Sequence, residues 1–408
     1  MVNKGSRAIQ IIKNVLLRLL SAFLSTGIRQ FITLPVLAAT FPKEVYGTIL
    51  TIQGVANITE LALGNTLNNT RLVTNAAYEE KSYTGDFNCL VLITIILGMI
   101  ITPIIAHAFP SVDLVTGILL WLVIVFGTMN AYYIVGLTMR LQFNRVLIQS
   151  ILVGVGTLIG VGLTKLTGLW PFSFLVGSIF GVAYLFFTTP LMREKLKWTP
   201  LARTTTTKWA TLIGVSLVAN IVTYLDRLLI YPFVGAAAVA IYTTASFFGK
   251  CASALIPPVS NVLLAYFSQS DYKMDRKVYF RIAGMSVLFC LCSFIASLPI
   301  APFITRLLYP SLMEEARPFM VLANAAAMLS AASILIQAIV LKYSRTTNLL
   351  FIQIIYGVVY IGGGLLMIGK AGIRGFCWAA IAANMVQLIC LILFGYFGVT
   401  GQGKKISG

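Results

Sequence analysis

The sequence contains few residues that could bind a metal ion or carry redox chemistry. It has one histidine, His107, and six cysteines, which lie in apolar segments without the spacing of a metal site or a redox motif. We therefore interpret the cysteines as small packing residues and expect no metal site. Acidic residues are also scarce, at 12 Asp and Glu against 30 Lys and Arg, and charged residues make up only 10% of the chain.

Long apolar runs fill most of the sequence instead. Hydrophobic residues occupy 58% of the 408 positions, and apolar stretches of about 20 residues recur along the chain. Such a composition excludes a soluble enzyme. The continuous runs also exclude an outer-membrane barrel, whose strands alternate in polarity over roughly 10 residues. The sequence predicts an all-α polytopic membrane protein.

We predict twelve membrane-spanning helices in two six-helix halves, an N-terminal bundle at 1–200 and a C-terminal bundle at 201–408. The polar stretch at 191–207 separates the halves, and an even number of spans in each suits a parallel repeat. In chain order the predicted spans are 13–39, 45–67, 87–109, 113–139, 145–165, 169–190, 208–233, 236–267, 279–305, 315–341, 345–368 and 373–398.

The net charge of +18 comes mainly from one side of this predicted topology. With both termini on the same side, 20 of the 30 basic residues lie there, six lie opposite and four lie inside spans. Because cytoplasmic loops are enriched in Lys and Arg, both termini are predicted to be cytoplasmic. The basicity is therefore a topological signal, and we expect no nucleic-acid partner.

The connections between spans lack the motifs that a membrane enzyme or pump would need. The predicted outer loops are short, the longest lying around 306–317, and the cytoplasmic loops carry no Walker motif. We therefore expect no enzymatic activity, no catalytic residue and no organic cofactor. Transport without a built-in ATPase remains.

Four basic side chains lie inside the predicted spans: Arg18, Arg29, Arg227 and Lys250. Placing such a charge at the centre of a bilayer costs about 2.5 to 3.5 kcal/mol, so these residues usually face a water-filled cavity or a partner. Together they predict a central cationic cavity between two six-helix halves, and hence an anionic cargo.

Polar residues recur at helical spacing in the first and second spans of each half. Each stripe places its members on one helix face, as expected of helices that line a cleft. The candidate substrate-binding residues on these stripes are Arg29, Arg227, Lys250, Arg18, Asn57 and Asn220.

Several of these charged residues could have a structural role instead of a role in substrate binding. Arg18 lies close to the cytoplasmic surface and could extend to the lipid headgroups. Glu60 could neutralise Arg29 in a salt bridge, and Asp226 could do the same for Arg227. Alternatively, Glu60 and Asp226 could bind a coupling ion, H⁺ or Na⁺. The residues alone leave these alternatives open.

Two stretches resemble a known family. LPVLAATFPKEVYG at 34–47 is similar to the end of its first helix and the following turn, and YLDRLLIYPFVG at 224–235, followed by AIY, is similar to the start of its second half. With the twelve-helix outline, they resemble the polysaccharide flippases of the multidrug, oligosaccharidyl-lipid and polysaccharide exporter superfamily, especially bacterial O-antigen flippases.

The resemblance implies a cargo and a cellular setting. The cargo would be an oligosaccharide on undecaprenyl pyrophosphate, moved from the cytoplasmic to the outer leaflet of the bacterial inner membrane by alternating access. The implied partners are this lipid-linked oligosaccharide, membrane lipids, a polysaccharide polymerase and a chain-length regulator. Members of the family have a cationic interior, which Arg29, Arg227 and Lys250 would match here.

Two other functions are alternatives to a flippase. A cation-coupled multidrug exporter of the same architecture should carry an excess of buried carboxylates, whereas here four basic residues accompany Glu60 and Asp226. A membrane polysaccharide polymerase would need a large outer loop, which the predicted topology lacks. The residues favour the flippase.

Overall fold

The computed structural model describes residues 4–254, 256, 260, 276–343 and 346–405, and this part of the chain is helical with no β-strand. Seven helical stretches within it are long and apolar enough to cross a membrane, and an eighth qualifies if the helices flanking Tyr224 count as one span. Many large apolar side chains on these helices are exposed, for example Leu114 at 80% and Leu166 at 84%. The predicted all-α polytopic membrane fold is confirmed.

α-Helices follow one another along the described part of the chain. They are α1 Lys4–Ile28, α2 Leu34–Thr40, α3 Lys43–Glu60, α4 Thr66–Glu80, α5 Asp86–Ala108, α6 Leu114–Tyr133, α7 Val135–Met139, α8 Phe143–Thr167, α9 Phe172–Thr188, α10 Ala202–Thr223, α11 Leu225–Val234, α12 Ala236–Ala245, α13 Phe247–Ala254, α14 Arg276–Leu308, α15 Met313–Tyr343 and α16 Thr346–Lys405. Two π-helical turns, Arg29–Thr33 and Leu61–Asn65, join α1 to α2 and α3 to α4.

The predicted spans coincide with helices, several of which are broken. The twelfth span and the described part of the eleventh, 346–368, lie in the single helix α16, where Ala371 and Gly372 leave the helical conformation and Gly372 has a φ of 54°. The second span lies within the helical stretch 43–80, and the eighth corresponds to α12 and α13. Residues 255, 257–259 and 261–267 of the eighth span lie outside the described residues.

The chain packs as two compact units. The N-terminal unit contains the described residues up to Phe41 together with Thr48–Tyr224, and the C-terminal unit contains Pro42–Gly47 together with the described residues from Leu225 onwards. The helix α10 therefore packs with the first unit, although it follows the polar connection at 191–207. The predicted division after residue 200 and the central cationic cavity stay predictions.

The polar connection after α9 is anchored to the N-terminal unit. The buried carboxylate of Asp86 accepts hydrogen bonds from the backbone N–H of Thr199 at 2.6 Å and from the hydroxyl of Tyr78 at 2.6 Å. Nearby, the buried Arg71 forms an ion pair with Glu194 at 3.4 Å. Because these groups are buried and partnered, the connection is held as part of that unit.

The short segment Pro42–Gly47 is fixed within the C-terminal unit. Lys43 forms an ion pair of 2.8 Å with Glu315, and this hydrogen bond raises the pKa of Lys43. The ring of Tyr46 is fully buried. The backbone of Ala236 approaches Gly47 so closely that an added Cβ would lie 2.6 Å from the Ala236 carbonyl carbon. Only glycine fits such a contact without a shift of the backbone.

Candidate functional site

Arg29 belongs to a hydrogen-bonded group in the N-terminal unit. Its guanidinium donates to Oδ1 of Asn57 at 3.2 Å, and the same oxygen accepts a hydrogen bond from Nε2 of Gln53 at 3.0 Å. Asn57 and Gln53 are buried, whereas Arg29 is exposed. Gln53 therefore orients the Asn57 amide so that its oxygen faces Arg29.

Two further groups surround this arginine. The guanidinium carbon lies 5.9 Å from the centre of the Phe174 ring, which is within cation–π range. Glu60 interacts electrostatically with Arg29. The ion pairs within 4.0 Å among the described residues include Lys43–Glu315, Arg71–Glu194 and Lys250–Asp226, and none of these contains Arg29. The direct hydrogen-bond partner of Arg29 is thus the neutral amide of Asn57.

The carboxylate of Glu60 is held against a glycine of α6. A Cβ added to Gly127 would lie 2.5 Å from Oε1 and 2.7 Å from Oε2 of Glu60. The absence of a side chain at Gly127 therefore makes room for the carboxylate in an otherwise apolar span.

Both charged residues of this group lie at irregular helix turns. Arg29 is the first residue of the π-helical turn Arg29–Thr33, and Glu60 immediately precedes the π-helical turn Leu61–Asn65. Single π-helical turns change the register of the backbone hydrogen bonds and are frequent at functional sites. Irregular backbone at membrane depth is tolerated where it is buried in protein or lines a water-filled cavity.

In the C-terminal unit, Asp226 and Lys250 form an ion pair between α11 and α13. Asp226 is buried, and it also accepts a hydrogen bond of 2.9 Å from the backbone N–H of Arg227. The ammonium of Lys250 lies 5.3 Å from the centre of the Tyr242 ring. Lys250 thus pairs directly with Asp226, and the backbone N–H and the charge of Arg227 also act on this carboxylate.

A helix break positions Lys250. α12 ends at Ala245 and α13 begins at Phe247. The buried Asn324 of α15 bridges the break: its Oδ1 accepts from the backbone N–H of Gly249 at 2.6 Å, and its Nδ2 donates to the carbonyl of Ala245 at 3.1 Å. This amide satisfies backbone groups that the break releases, and it fixes the turn that carries Lys250.

The structure groups some of the predicted residues and separates others. Arg29, Asn57 and Glu60 lie together in one unit, and Asp226, Arg227 and Lys250 lie together in the other. Two candidates stand apart from these clusters. Arg18 is exposed on α1, about three helical turns before Arg29. Asn220 donates to the carbonyl of Ser216 at 2.7 Å within its own helix, α10.

Several neighbours of the clusters were not among the predicted site residues. They are the orienting amide Gln53, the ring of Phe174 and three tyrosines, Tyr242, Tyr356 and Tyr360. The tyrosines carry a sequence signal that could have identified them, because Tyr356 and Tyr360 are four residues apart near the middle of a predicted span. Tyrosine is more usual at the ends of spans, near the lipid headgroups.

Comparison with known proteins relates the fold to solved transporters. No family model matches the sequence. No curated protein matches it either. An inward-facing multidrug resistance MATE family transporter of the MOP superfamily is 13% identical, with a TM-score of 0.66 over 94% of this chain and 99% of that one. The Vibrio cholerae MATE transporter VcmN in the bent form is 16% identical, with a TM-score of 0.60 over 97% of this chain and 98% of that one.

A flippase structure is similar over nearly the same extent. The lipid II flippase MurJ in its inward closed conformation is 15% identical, with a TM-score of 0.57 over 95% of this chain and 86% of that one. The chain shares its fold with MATE transporters and with a lipid II flippase. This likeness confirms the architecture expected from the resemblance in sequence. The polysaccharide cargo and the roles of individual residues stay predictions.

Proposed function

We propose that this protein is a flippase that moves an oligosaccharide linked to undecaprenyl pyrophosphate from the cytoplasmic to the outer leaflet of the bacterial inner membrane. The likeness in fold to both MATE transporters and a lipid II flippase supports transport by alternating access. The excess of basic residues on one side of the predicted topology supports a cytoplasmic position for both termini. The choice of an anionic lipid carrier depends on the chemistry of the two clusters.

The hydrogen bonding of Arg29 is the observation that carries this proposal. Because its direct partner is the neutral amide of Asn57, the positive charge of the guanidinium is available to a cargo. A guanidinium in a low-dielectric environment can form bidentate, charge-assisted hydrogen bonds to a phosphate. The side chain is also exposed, so an anion could reach it.

The C-terminal unit supplies further positive charge. The cluster there contains two basic residues, Arg227 and Lys250, and one carboxylate, Asp226. The formal charges of these three residues sum to +1, which suits an anionic pyrophosphate. Asp226 then serves to position Lys250, and of the two candidate ion-coupling carboxylates we favour Glu60 for H⁺ or Na⁺.

A transport assay in liposomes tests the proposal. The purified protein is reconstituted, and movement of a sugar-bearing undecaprenyl pyrophosphate between leaflets is followed by its accessibility to a lectin. We expect Arg29→Gln, Arg227→Gln and Lys250→Gln each to lower the rate at least about tenfold, since each removes a charge-assisted contact.

Lys165→Gln is the matched control, because this exposed basic residue lies at the end of α8, outside both clusters. It should transport like the wild type. Full activity of all three cluster variants would contradict the proposal.

The second candidate is a cation-coupled multidrug exporter. The fold likeness to the MATE transporters and the carboxylate of Glu60 in an apolar span favour it. In the same liposomes, efflux of a cationic dye without movement of the lipid-linked sugar would establish this alternative.

A further inference from the structure

A row of aromatic rings extends from Lys250 through the C-terminal unit. The ammonium lies 5.3 Å from the centre of the Tyr242 ring. Tyr242 packs edge-on against Phe376 at 5.2 Å, Phe376 contacts Tyr360 at 5.8 Å, and Tyr360 stacks on Tyr356 at 5.6 Å with an interplanar angle of 23°. Four rings contributed by α12 and α16 thus form one continuous cluster, which we call the tyrosine row.

The tyrosine row is accessible at its Tyr356 end, whereas its other three rings are buried. Phe376, Tyr242 and Tyr360 are 0%, 4% and 8% exposed. By contrast, Tyr356 is only half-buried, and the side chain of Lys250 is 34% exposed. Core packing accounts for the buried rings, but it does not account for a partly exposed tyrosine at the end of the row.

The three tyrosines also interact electrostatically with one partner of the ion pair. Tyr242, Tyr356 and Tyr360 each interact with the carboxylate of Asp226, and Tyr242 interacts with the other two phenols. The three phenols are therefore within electrostatic range of the carboxylate that pairs with Lys250. Aromatic faces and hydroxyl groups occur side by side within it.

The depth of Tyr356 in the membrane makes a lipid-facing role unfavourable. It lies about 16 Å along the helix from the start of the predicted span 345–368. A phenol hydroxyl at that depth needs a hydrogen-bond partner, which lipid chains cannot supply. The partner of this hydroxyl must therefore come from the protein, from water or from a bound ligand.

We infer that the tyrosine row is a carbohydrate-binding subsite, in which the ring of Tyr356 stacks on a sugar while Lys250 binds the adjacent phosphate. A sugar ring has an apolar C–H face and a rim of hydroxyl groups. Tyrosine matches both, through its ring face and its hydroxyl. This inference rests on the proposed function and names the feature that would recognise the sugar itself.

Binding to two defined lipids separates the roles of Tyr356 and Lys250. The probes are undecaprenyl pyrophosphate and the same lipid carrying one N-acetylglucosamine, each titrated into the purified full-length protein and quantified by native mass spectrometry. We expect the wild type to bind the sugar-bearing lipid about tenfold more tightly. Tyr356→Ala should abolish this preference without changing the affinity for undecaprenyl pyrophosphate, and Tyr356→Phe should keep most of it.

Two further variants complete the experiment. Lys250→Gln should weaken binding of both lipids, because they share the phosphate. Phe351→Ala is the matched control on the same helix: this ring is 53% exposed and lies five residues before Tyr356, on a different helix face. It should keep the sugar preference.

The outcomes distinguish this inference from the proposed function. Equal affinity of the wild type for the two lipids, or a sugar preference that survives in Tyr356→Ala, overturns the subsite and leaves the flippase standing. A wild-type protein that binds neither lipid overturns both.

Discussion

The two partners of the ion pair between Asp226 and Lys250 should not be equally important for stability. The carboxylate side chain is 6% exposed, whereas the lysine side chain is 34% exposed. Removing either partner leaves the other charge uncompensated, and the resulting loss of stability depends on how well water reaches the remaining charge. Lys250→Gln should therefore destabilise the protein more than Asp226→Asn does.

The expected loss of stability in each variant follows from the exposed fraction of the side chain that remains. Loss of one partner of a fully buried pair costs about 3 to 5 kcal/mol, and exposed pairs contribute about 0 to 1 kcal/mol. Without Lys250 the buried Asp226 carboxylate remains, so we expect about 3 kcal/mol of destabilisation, at the lower end because Arg227 is nearby. Without Asp226 the remaining ammonium is one-third exposed, and we expect about 1 to 2 kcal/mol.

The relative stability of the two single variants is measured by thermal unfolding of the purified protein in detergent, followed by tryptophan fluorescence. The double variant Asp226→Asn/Lys250→Gln carries neither charge and should be more stable than Lys250→Gln alone. Such non-additivity is the signature of a direct pair. Equal melting temperatures for the two single variants, or a double variant as unstable as the sum of both, would refute the reasoning.

Two glycines yield further predictions from close contacts. Gly127→Ala places a Cβ 2.5 Å from Oε1 of Glu60, so we expect slower transport and a loss of roughly 1 to 3 kcal/mol, seen as a lower melting temperature. Gly47→Ala meets the backbone of Ala236, which cannot move as a side chain can. We expect it to lower the melting temperature more than Gly127→Ala and to reduce the yield of folded protein.

One substitution serves as the control for both glycines. Gly162 lies in α8, and a Cβ added there meets nothing within 4 Å. Because alanine favours a helix over glycine by about 0.5 to 1 kcal/mol, Gly162→Ala should be neutral or stabilising. If Gly127→Ala or Gly47→Ala behaved like this control, the packing described at that position would be wrong.

The fold was largely predictable from hydrophobicity. Long apolar runs set the number and approximate bounds of the spans, since helices are among the few structures that satisfy their backbone groups in a membrane. The predicted break between 368 and 373 coincides with the non-helical residues Ala371 and Gly372. The packing of α10 with the N-terminal unit was not predictable, because contacts such as that of Trp209 with Thr66 at 3.1 Å leave no periodic signal.

For the candidate site, the sequence indicated which charges matter but not which partner each charge has. Spacing placed Asn57 and Arg29 on polar helix faces, and the structure joins them at 3.2 Å. The pairing of Asp226 with Lys250 depends on how α11 and α13 pack, which a single sequence does not encode in any local pattern.

The helix irregularities account for why these charges can exist in apolar spans. Arg29 begins a π-helical turn and Glu60 precedes another, while Asp226 follows the interruption at Tyr224 by two residues and Lys250 follows the one at Ser246 by four. Each irregularity leaves backbone groups outside the regular helical pattern, and such groups are stable at membrane depth only in protein or water. Charge and irregular backbone therefore require the same kind of environment. Their coincidence at four separate positions indicates a polar interior near these clusters more strongly than the charges do alone.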